Sequence, residues 1–432
     1  MDHEPVGRPG TPSLLRAIND RTALRLLADR GPLSRTQLGA LAGLSKPTAS
    51  QLVDRLEAAG LVEPVLEPEG AQAVSALPGP SAPGRTARRY RLRGGAAYVA
   101  GLDVTAARIV ARVCDLSGRT VSERTLPTPG RSATGTVDRV REALSVACEP
   151  ARLDLSALHH VVIGIGGAID PGSGRLGFAR HLPGWHEADL LARLRGELTP
   201  AGAPDPRVDV ENDVNLAAVA EQAVGAAAPG SHPAQGARDF VVLWIAEGIG
   251  AAVIIDGRLH RGATGGAGEV GYMPVPGAPV VRSIGRGTTG GFQALAGGPA
   301  VLKLARQHGF TGADAQTAIG RAVAAVTRPG PVAVQQAARR LLTELADRLA
   351  TGLAPLVAVL DPELIVLTGA IPRAGEGPLR ELVAEALHGM AIPRPRLVAS
   401  AVADNPVLAG AIHAALAATR EAVFSTTVSV SA

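Results

Sequence analysis

Cysteine is scarce in this chain of 432 residues, and long apolar runs are missing from it. The two cysteines, Cys114 and Cys148, cannot build a disulfide framework, and neither lies at a spacing typical of metal ligands. No stretch approaches the roughly 18 uninterrupted apolar residues of a membrane span. The first residues also lack the basic-then-apolar pattern of a signal peptide. We therefore expect a cytoplasmic protein, without a membrane partner and with the length of two or three domains.

Positive charge is concentrated near the N-terminus. Residues 1–93 carry 13 Lys and Arg against 9 Asp and Glu, whereas the rest of the chain carries 30 of each. A positive surplus confined to one region favours a polyanionic partner at that region.

Three helix patterns occur in this basic region. Apolar residues recur at helical spacing from Leu14 to Arg30. Residues 34–37 have the pattern of a capping box, which predicts a second, short helix. Ser45 then caps a third helix that runs to Ala58, and Pro47 is tolerated in its first turn. The third helix is expected to bury one stripe of side chains: Ala49, Leu52, Val53, Leu56 and Ala59.

A wing follows the helices. Residues 61–66 form a predicted strand, residues 70–84 are rich in Ala, Pro, Gly and Ser, and residues 85–93 return with several arginines. Residues 1–93 are thus predicted to form a winged helix-turn-helix domain on double-stranded DNA, with the third helix in the major groove. The alternatives are a purely structural or protein-binding module and a solvated arginine run. The candidate DNA contacts are Arg35, Ser45, Lys46, Thr48, Ser50, Gln51, Arg55, Arg85, Arg88 and Arg89.

Residues 94–432 have a different, α/β pattern. Strands are predicted at 98–105, 108–116 and 120–126, followed by a helix near 135–149 and a strand that ends in the glycine turn 164–167. A similar series of strands and helices is predicted later in the chain. The strands are at 240–246, 251–255 and 364–368, and the helices are around 334–359, 377–389 and 406–421. Two lobes of this kind imply a cleft between them, where small ligands usually bind.

One polar string suits a hydroxyl-rich ligand in that cleft. Residues 210–215 read Val-Glu-Asn-Asp-Val-Asn. A carboxylate accepts hydrogen bonds from sugar hydroxyls, and an amide both donates and accepts. We name Gly167, Asn212, Asp213 and Glu269 as candidate ligand contacts. The alternatives are that Asn212 and Asp213 only cap a helix and that Glu269 is a buried charge paired with an arginine.

Several motifs, in order along the chain, resemble the ROK family, whose name joins repressors, open reading frames and sugar kinases. They are residues 15–46 for its repressor-type helix-turn-helix, residues 181–185 (His-Leu-Pro-Gly-Trp), 211–215, 255–271 and 360–369. The resemblance implies an actin/hexokinase-like fold of two ribonuclease H-like lobes. It also implies that Tyr272 and Gln293 stand where the family has a histidine and a glutamate that contact sugar, so both join the candidate ligand contacts.

The chain differs from the family in the two turns that hold ATP phosphates in ROK kinases. ROK kinases hold ATP phosphates with Asp-x-Gly-x-Thr, and residues 103–107 here keep only Asp103. Thr105 replaces the glycine, Ala107 replaces the hydroxyl, and Glu247 stands where a second phosphate turn has threonine. A carboxylate within about 4 Å of a triphosphate costs several kcal/mol when partly desolvated. We expect ATP binding to be lost.

The chain also differs from the family at the positions of the family's zinc ligands. Its histidine and cysteine positions correspond to Tyr272, Ile284, Arg286 and Gly291. Tetrahedral zinc needs about four nitrogen or sulfur ligands. We therefore expect neither a metal nor a cofactor.

Together these patterns predict a DNA-binding transcriptional regulator, a repressor rather than an enzyme. A sugar or related polyol in the cleft would rotate the lobes. In a homodimer or a dimer of dimers, this rotation would change the distance between the two winged helices. One alternative is an active ATP-dependent sugar kinase with an appended DNA-binding domain and Asp213 as general base. Another keeps the regulator with a different effector, or with none.

Overall fold

The N-terminal unit consists of three helices and a small sheet. The computed structural model describes residues 12–65, 88–128, 135–169, 176–177, 185, 189–198, 207–231, 236–281 and 290–426. Its first three strands form an antiparallel sheet in the order β1-β3-β2, which confirms the winged helix-turn-helix. The elements are α1 (Pro12–Arg30), β1 (Leu33–Ser34), α2 (Arg35–Ala42), α3 (Lys46–Ala58), β2 (Val62–Pro64) and β3 (Arg89–Leu92).

The predicted caps fix the ends of α2 and α3. The Ser34 hydroxyl accepts a hydrogen bond from the Gln37 amide, and the Gln37 side chain accepts one from the Ser34 amide at 2.9 Å. Gly43 ends α2 with a φ of 68°, a left-handed conformation that glycine adopts without strain. Ser45 caps α3 by accepting from the Thr48 amide. The turn between the two helices is therefore encoded locally.

The buried faces of α3 and α1 are shorter than the apolar patterns in their sequences. Ala59 is exposed because α3 has already ended and Ala59 belongs to the turn after it. Leu14 and Ile18 are 50% and 51% exposed because the core packs on the second half of α1. Ala49, Leu52, Val53 and Leu56 are buried as predicted, and Leu24, Leu27 and Leu38 are buried as well.

The remainder of the chain forms two lobes with the same sheet topology. In each five-stranded sheet, three antiparallel strands continue into two further parallel strands. The order is β10-β7-β4-β5-β6 in the first lobe and β13-β12-β11-β14-β15 in the second. This internal repeat confirms the expected two-lobed, actin/hexokinase-like architecture.

The first lobe contains β4 (Tyr98–Val104), β5 (Arg108–Asp115), β6 (Thr120–Pro127), α4 (Thr136–Cys148), β7 (Leu158–Ile165), β8 (Ala168–Ile169), β9 (Leu176–Gly177), α5 (Leu190–Leu198), β10 (Arg207–Asn212) and α6 (Asp213–Val224). The second contains β11 (Phe240–Ile245), β12 (Ile249–Ile255), β13 (Arg258–His260), α7 (Gly291–Ala296), α8 (Gly298–Gln307), α9 (Ala315–Thr327), α10 (Val332–Leu360), β14 (Leu364–Thr368), α11 (Ala370–Met390) and β15 (Arg396–Ala399).

Helix α11 begins earlier than the sequence indicates. The helix predicted near 377–389 starts at Ala370 and is interrupted at Glu376, where φ is 43° and ψ is −143°. Pro378 restarts it, since a proline suits the first turn of a helix. Because glycine and proline interrupt the sequence at 377–378, the apolar periodicity predicts only the second segment of the helix.

The C-terminal helix α12 (Pro406–Thr426) connects the first lobe to the DNA-binding unit. Its first half packs on β4, β7 and α6, while Phe424 is buried in the core of the winged helix. Among the described helices, α12 alone is long and apolar enough to cross a membrane by length and composition. Half of that stretch is buried inside the molecule, which is also the behaviour of a core helix.

Candidate effector cleft and DNA interface

Asp213 lies near enough to two other carboxylates, Asp103 of the first lobe and Glu269 of the second, for their charges to act on it. Asp103 lies near the end of β4, Asp213 begins α6, and Glu269 precedes a short turn after β13. Burial and, to a smaller extent, the charges of Asp103 and Glu269 together raise the pKa of Asp213 to about 7, although a hydrogen bond from the Val214 amide acts in the opposite direction. Burial also raises the pKa of both neighbours. Such a group is stabilised by a ligand that donates hydrogen bonds to it.

Asn212 is the N-cap of α6. Its side-chain oxygen accepts from the amides of Val214 and Asn215, at 2.8 and 3.0 Å. Its side-chain nitrogen donates to the Gly167 carbonyl at 3.1 Å, so these two predicted contacts lie together. The capping role that the sequence left open is therefore present, and ligand contact by Asn212 stays a prediction.

Gln293 is held by the backbone of the second glycine turn. Its side-chain oxygen accepts from the Ile249 amide at 2.8 Å, and its nitrogen donates to the Glu247 carbonyl at 2.9 Å. Tyr272 closes the short 3-10 turn that directly follows Glu269. Gln293 thus shapes the turn, while sugar contact by Gln293 or Tyr272 stays a prediction.

Residues 103–108 correspond to the first turn that holds ATP phosphates in ROK kinases, and side chains of this turn form hydrogen bonds within the protein. The Thr105 hydroxyl accepts from the Arg108 amide at 3.1 Å and donates to the Arg108 carbonyl at 3.0 Å. Asp103 accepts from the side-chain amide of Asn405 at 2.7 Å, and Asn405 in turn caps the start of α12. The Thr105 hydroxyl and the Oδ2 oxygen of Asp103 are therefore engaged within the protein.

Glu247 places a carboxylate where the second turn meets α8. A Cβ added to Gly298, the first residue of α8, would lie 3.1 Å from Glu247 Oε2. The N-terminus of a helix is a favourable position for an anion. Here the chain's own carboxylate lies beside that position, although it does not cap the helix.

An ion pair that sequence reasoning missed bridges the lobes beside Asp213. Arg261, after β13 of the second lobe, donates to Glu211 of the first at 2.6 Å. Glu211 also accepts from the Asn215 side chain and the Asn212 amide, each at 2.9 Å. The only sequence signal was the position of Glu211 within the polar string 210–215.

The zinc positions lie partly outside the described residues. Ile284 and Arg286 are among those not described, whereas Tyr272 and Gly291 are described and offer no thiolate or imidazole. Within the described part of the chain, no three His, Cys, Asp or Glu side chains come together as a metal site. The absence of a metal remains a prediction.

The predicted DNA contacts fall into two groups, of which the first supports the fold. Arg35 donates to the Tyr90 hydroxyl at 2.9 Å and to Ser50 at 2.7 Å. Arg55 pairs with the buried Asp20, with 3.0 Å between Nε and Oδ2. Arg89 donates to the Pro32 carbonyl at 3.1 Å. These bonds orient α3 and β3 within the unit.

The second group faces solvent. Ser45, Lys46, Thr48 and Gln51 are exposed along the first half of α3. Arg88 is exposed at the start of the returning strand, with its guanidinium 5.5 Å from the Tyr90 ring centre. Arg85 lies outside the described residues. All of this group is exposed, but Ser45 and Thr48 also form the cap of α3, and Arg88 also pairs with Glu57 at 3.6 Å.

Gln51→Ala and Arg88→Ala should change DNA binding in different ways. Glutamine can recognise an adenine edge, so Gln51→Ala should alter the preferred sequence. Arg88→Ala should weaken all sequences alike and lower the salt slope of binding by roughly 0.9. The measurement is a titration of both variants on operator and random DNA at several salt concentrations. If Arg88→Ala changed sequence preference and Gln51→Ala did not, the two roles would be reversed.

The family comparison agrees with this architecture. A ROK family model matches residues 99–419, and a MarR family model matches residues 18–73. The chain belongs to the ROK family, and a winged helix-turn-helix domain precedes its ROK domain.

Known relatives include enzymes and regulators. The chain is 36% identical to the bifunctional enzyme NanE/NanK of Brucella suis biovar 1 over 211 residues. These residues make up 48% of this chain and 34% of that enzyme. It therefore spans about a third of the length of that relative. It is 25% identical over 380 residues to a protein assigned as a xylose repressor in Caldicellulosiruptor sp., covering 86% of this chain and 88% of that protein.

A solved structure shares the complete fold. It is that of a ROK family transcriptional regulator, a homologue of the E. coli MLC protein, with a TM-score of 0.67. The alignment covers 96% of this chain and 99% of that one at 19% identity. At this identity the likeness shows the fold, which includes the N-terminal domain.

Proposed function

We propose that this protein is a transcriptional repressor that releases its operator when a neutral sugar or polyol binds between the lobes. The observation that carries the proposal is the direct packing of one helix, α12, on both the carboxylate cleft and the winged helix. A ligand that moves the first lobe against the second thereby moves the support of the DNA-binding unit.

The charge of the cleft supports a neutral ligand. Asp103, Asp213 and Glu269 lie close enough for the charges of the first and last to raise the pKa of the second. A phosphate group placed there would add repulsion to carboxylates that already repel each other. Hydroxyl groups instead donate hydrogen bonds to carboxylate oxygens.

A series of contacts connects the cleft to α3, the helix predicted to enter the major groove. Asp103 accepts from Asn405 at the start of α12. At the other end of α12, Glu421 pairs with Arg21 and, at 2.9 Å, with Arg25 on α1. Helix α1 then holds α3 through the Asp20–Arg55 pair. Each step joins groups that are packed or bonded, which is the kind of network that carries coupling between sites.

We further propose a homodimer or a dimer of dimers in the cytoplasm, where the operator DNA lies. Two winged helices would then contact half-sites about one or two helical turns apart. Rotation of the lobes would change the spacing between the two recognition helices.

The kinase alternative is tested by sugar-dependent ATP turnover. We expect none, because the Thr105 side chain bonds within the turn that would hold phosphate and Glu247 places a carboxylate beside the start of α8. A coupled assay with hexoses, N-acetylhexosamines and ATP measures this, with Glu247→Thr as the variant that restores the kinase residue. Turnover by the wild type on the order of 1 per second or more would establish an enzyme instead.

A further inference from the structure

The chain passes between the two lobes twice, and both passages begin beside one side chain. The first passage connects α6 to β11, and the second connects β15 to α12. Glu221, in the last turn of α6, accepts hydrogen bonds from both of them. Any rotation of one lobe against the other must be absorbed at these two passages.

Glu221 is buried, and its partners all belong to the two passages. The residue is 1% exposed. Its Oε1 oxygen accepts from the Ser400 hydroxyl, and its Oε2 oxygen accepts from the amides of Ala226 and Ala401 at 2.7 and 3.4 Å. None of these partners carries a positive charge, so the burial of the carboxylate is compensated by hydrogen bonds from the passages. One side chain of the first lobe thus holds the start of both.

Both passages are fixed to the second lobe directly after Glu221 has bonded them. The Ser400 amide donates to the Leu367 carbonyl of β14 at 2.9 Å. On the first passage, Ala227 is buried in the same apolar cluster as Phe240 of β11. Glu221 therefore lies where the two lobes are joined.

Helix α6 forms one body with α12 and the winged helix. A Cβ on Gly410 of α12 would overlap the Leu216 carbonyl of α6, so the two helices touch through their backbones. The winged-helix core includes Leu116, which follows β5 of the first lobe. Arg420 of α12 donates to the Leu116 carbonyl at 3.1 Å. We therefore expect the first lobe and the DNA-binding unit to move together, and the second lobe to move against them.

Glu221 is distant from the carboxylates of the effector cleft. It lies about 12 Å from Asp213 along α6, at 1.5 Å per residue. The interlobe pair of Arg261 and Glu211 is on the cleft side, beside the start of α6. A ligand at Asp213 can thus turn the second lobe without touching Glu221.

We propose that Glu221 is the hinge residue of this regulator. The second lobe turns about it when an effector binds, and this fixed pivot couples the effector cleft to the winged helix. The inference rests on the function proposed above and adds to it the point about which the lobes rotate. Hinges are a few residues at the ends of secondary-structure elements, and Glu221 holds two such segments at one place. Without its bonds the passages would bend independently, and the second lobe would lose its fixed direction of movement.

The test compares Glu221→Gln with the wild type in the full chain. Glutamine has nearly the same size, but its NH2 group meets donors where the carboxylate accepted, so at least one passage loses its bond. Anisotropy measures operator affinity with and without saturating glucose, xylose or N-acetylglucosamine, and calorimetry measures sugar affinity with and without operator. Where a sugar weakens wild-type operator binding tenfold or more, we expect about threefold or less in the variant, with the two separate affinities unchanged. The loss must be equal in both directions, because coupling between binding sites is reciprocal.

Two further variants control this result. Ser400→Ala removes a single bond and should have an intermediate effect. Glu197→Gln changes an exposed carboxylate on α5 of the first lobe and should have none. Wild-type coupling in Glu221→Gln would overturn the proposal. If that variant did not fold, wild-type coupling in Ser400→Ala would do the same.

A distance measurement separates failure of the hinge from failure of the proposed function. Spin labels at Glu197→Cys in the first lobe and Asp256→Cys in the second report the interlobe distance, since both native cysteines are buried. Ligand-free Glu221→Gln should give a broader distribution of this distance than the protein that keeps Glu221. An equally narrow distribution would overturn the hinge even where sugar releases DNA. A broader distribution in a protein that no sugar releases from DNA would support the hinge and contradict the sugar-controlled repressor.

Discussion

An Asp213→Ala protein should bind its operator as tightly as the wild type does and should no longer release it at the same sugar concentration. The carboxylate lies at the start of α6 in the cleft, whereas the DNA-binding unit contacts the far end of α12. A hydrogen bond to a charged acceptor contributes about 1.5–3 kcal/mol, so affinity for the sugar should fall about tenfold to a hundredfold. Fluorescence anisotropy of labelled operator, titrated with sugar, measures both properties.

Asp256→Ala is the matched control, since this carboxylate is exposed on the β12–β13 hairpin. It should respond to sugar as the wild type does. An Asp213→Ala protein that released DNA at the wild-type sugar concentration would limit Asp213 to a structural role at the start of α6.

The pKa of about 7 at Asp213 adds a pH dependence to the same prediction. Because the ionised carboxylate accepts from sugar hydroxyls, affinity should be full above pH 7 and fall as the group is protonated below it. Stability should change in the opposite direction. A carboxyl whose folded pKa is raised favours the folded state in acid, and this contribution is lost as pH rises through 7. Asp213→Asn should therefore raise the Tm at pH 8 and do so less at pH 5.

Phe424→Ala should disable the DNA-binding unit while leaving the cleft intact. The ring is buried in the winged-helix core, together with Leu24 and Leu27 of α1. Removing a buried phenylalanine costs about 3–5 kcal/mol. We expect operator binding to be lost at temperatures at which the sugar still binds, as measured by anisotropy and calorimetry on the same sample.

Glu421→Gln is a milder change at the same end of α12, and its effect is to be compared with that of Phe424→Ala. It removes the charge that pairs with Arg21 and Arg25, and these groups are all well exposed. Exposed pairs contribute about 0–1 kcal/mol, so its effect on stability should be small. If Phe424→Ala behaved like Glu421→Gln, the end of α12 would not support the winged helix.

The parts of the fold encoded in short stretches of sequence could be predicted. The capping box at Ser34, the cap at Ser45 and the left-handed Gly43 each need only residues within a few positions, and each is present. The two lobes followed from the repeated strand pattern. The interruption at Glu376 could not be predicted, because glycine and proline next to it also mark a helix boundary.

The partners of long polar side chains could not be predicted. Periodicity assigns a residue to one face of a helix but does not identify the group it meets there. Arg55 therefore had the pattern of a DNA contact, although it pairs with Asp20, which is 35 positions earlier in the chain. Gln293 likewise bonds to the backbone of Glu247 and Ile249, which only the packing of the second lobe brings near.

The most direct test of the account is the affinity of the full chain for DNA flanking its own gene, measured with and without a panel of neutral sugars and with ATP as comparison. We predict sequence-specific binding that at least one neutral sugar weakens by tenfold or more and that ATP leaves unchanged. Binding that shows no sequence preference, or specific binding that ATP weakens and no sugar affects, would contradict a sugar-controlled repressor.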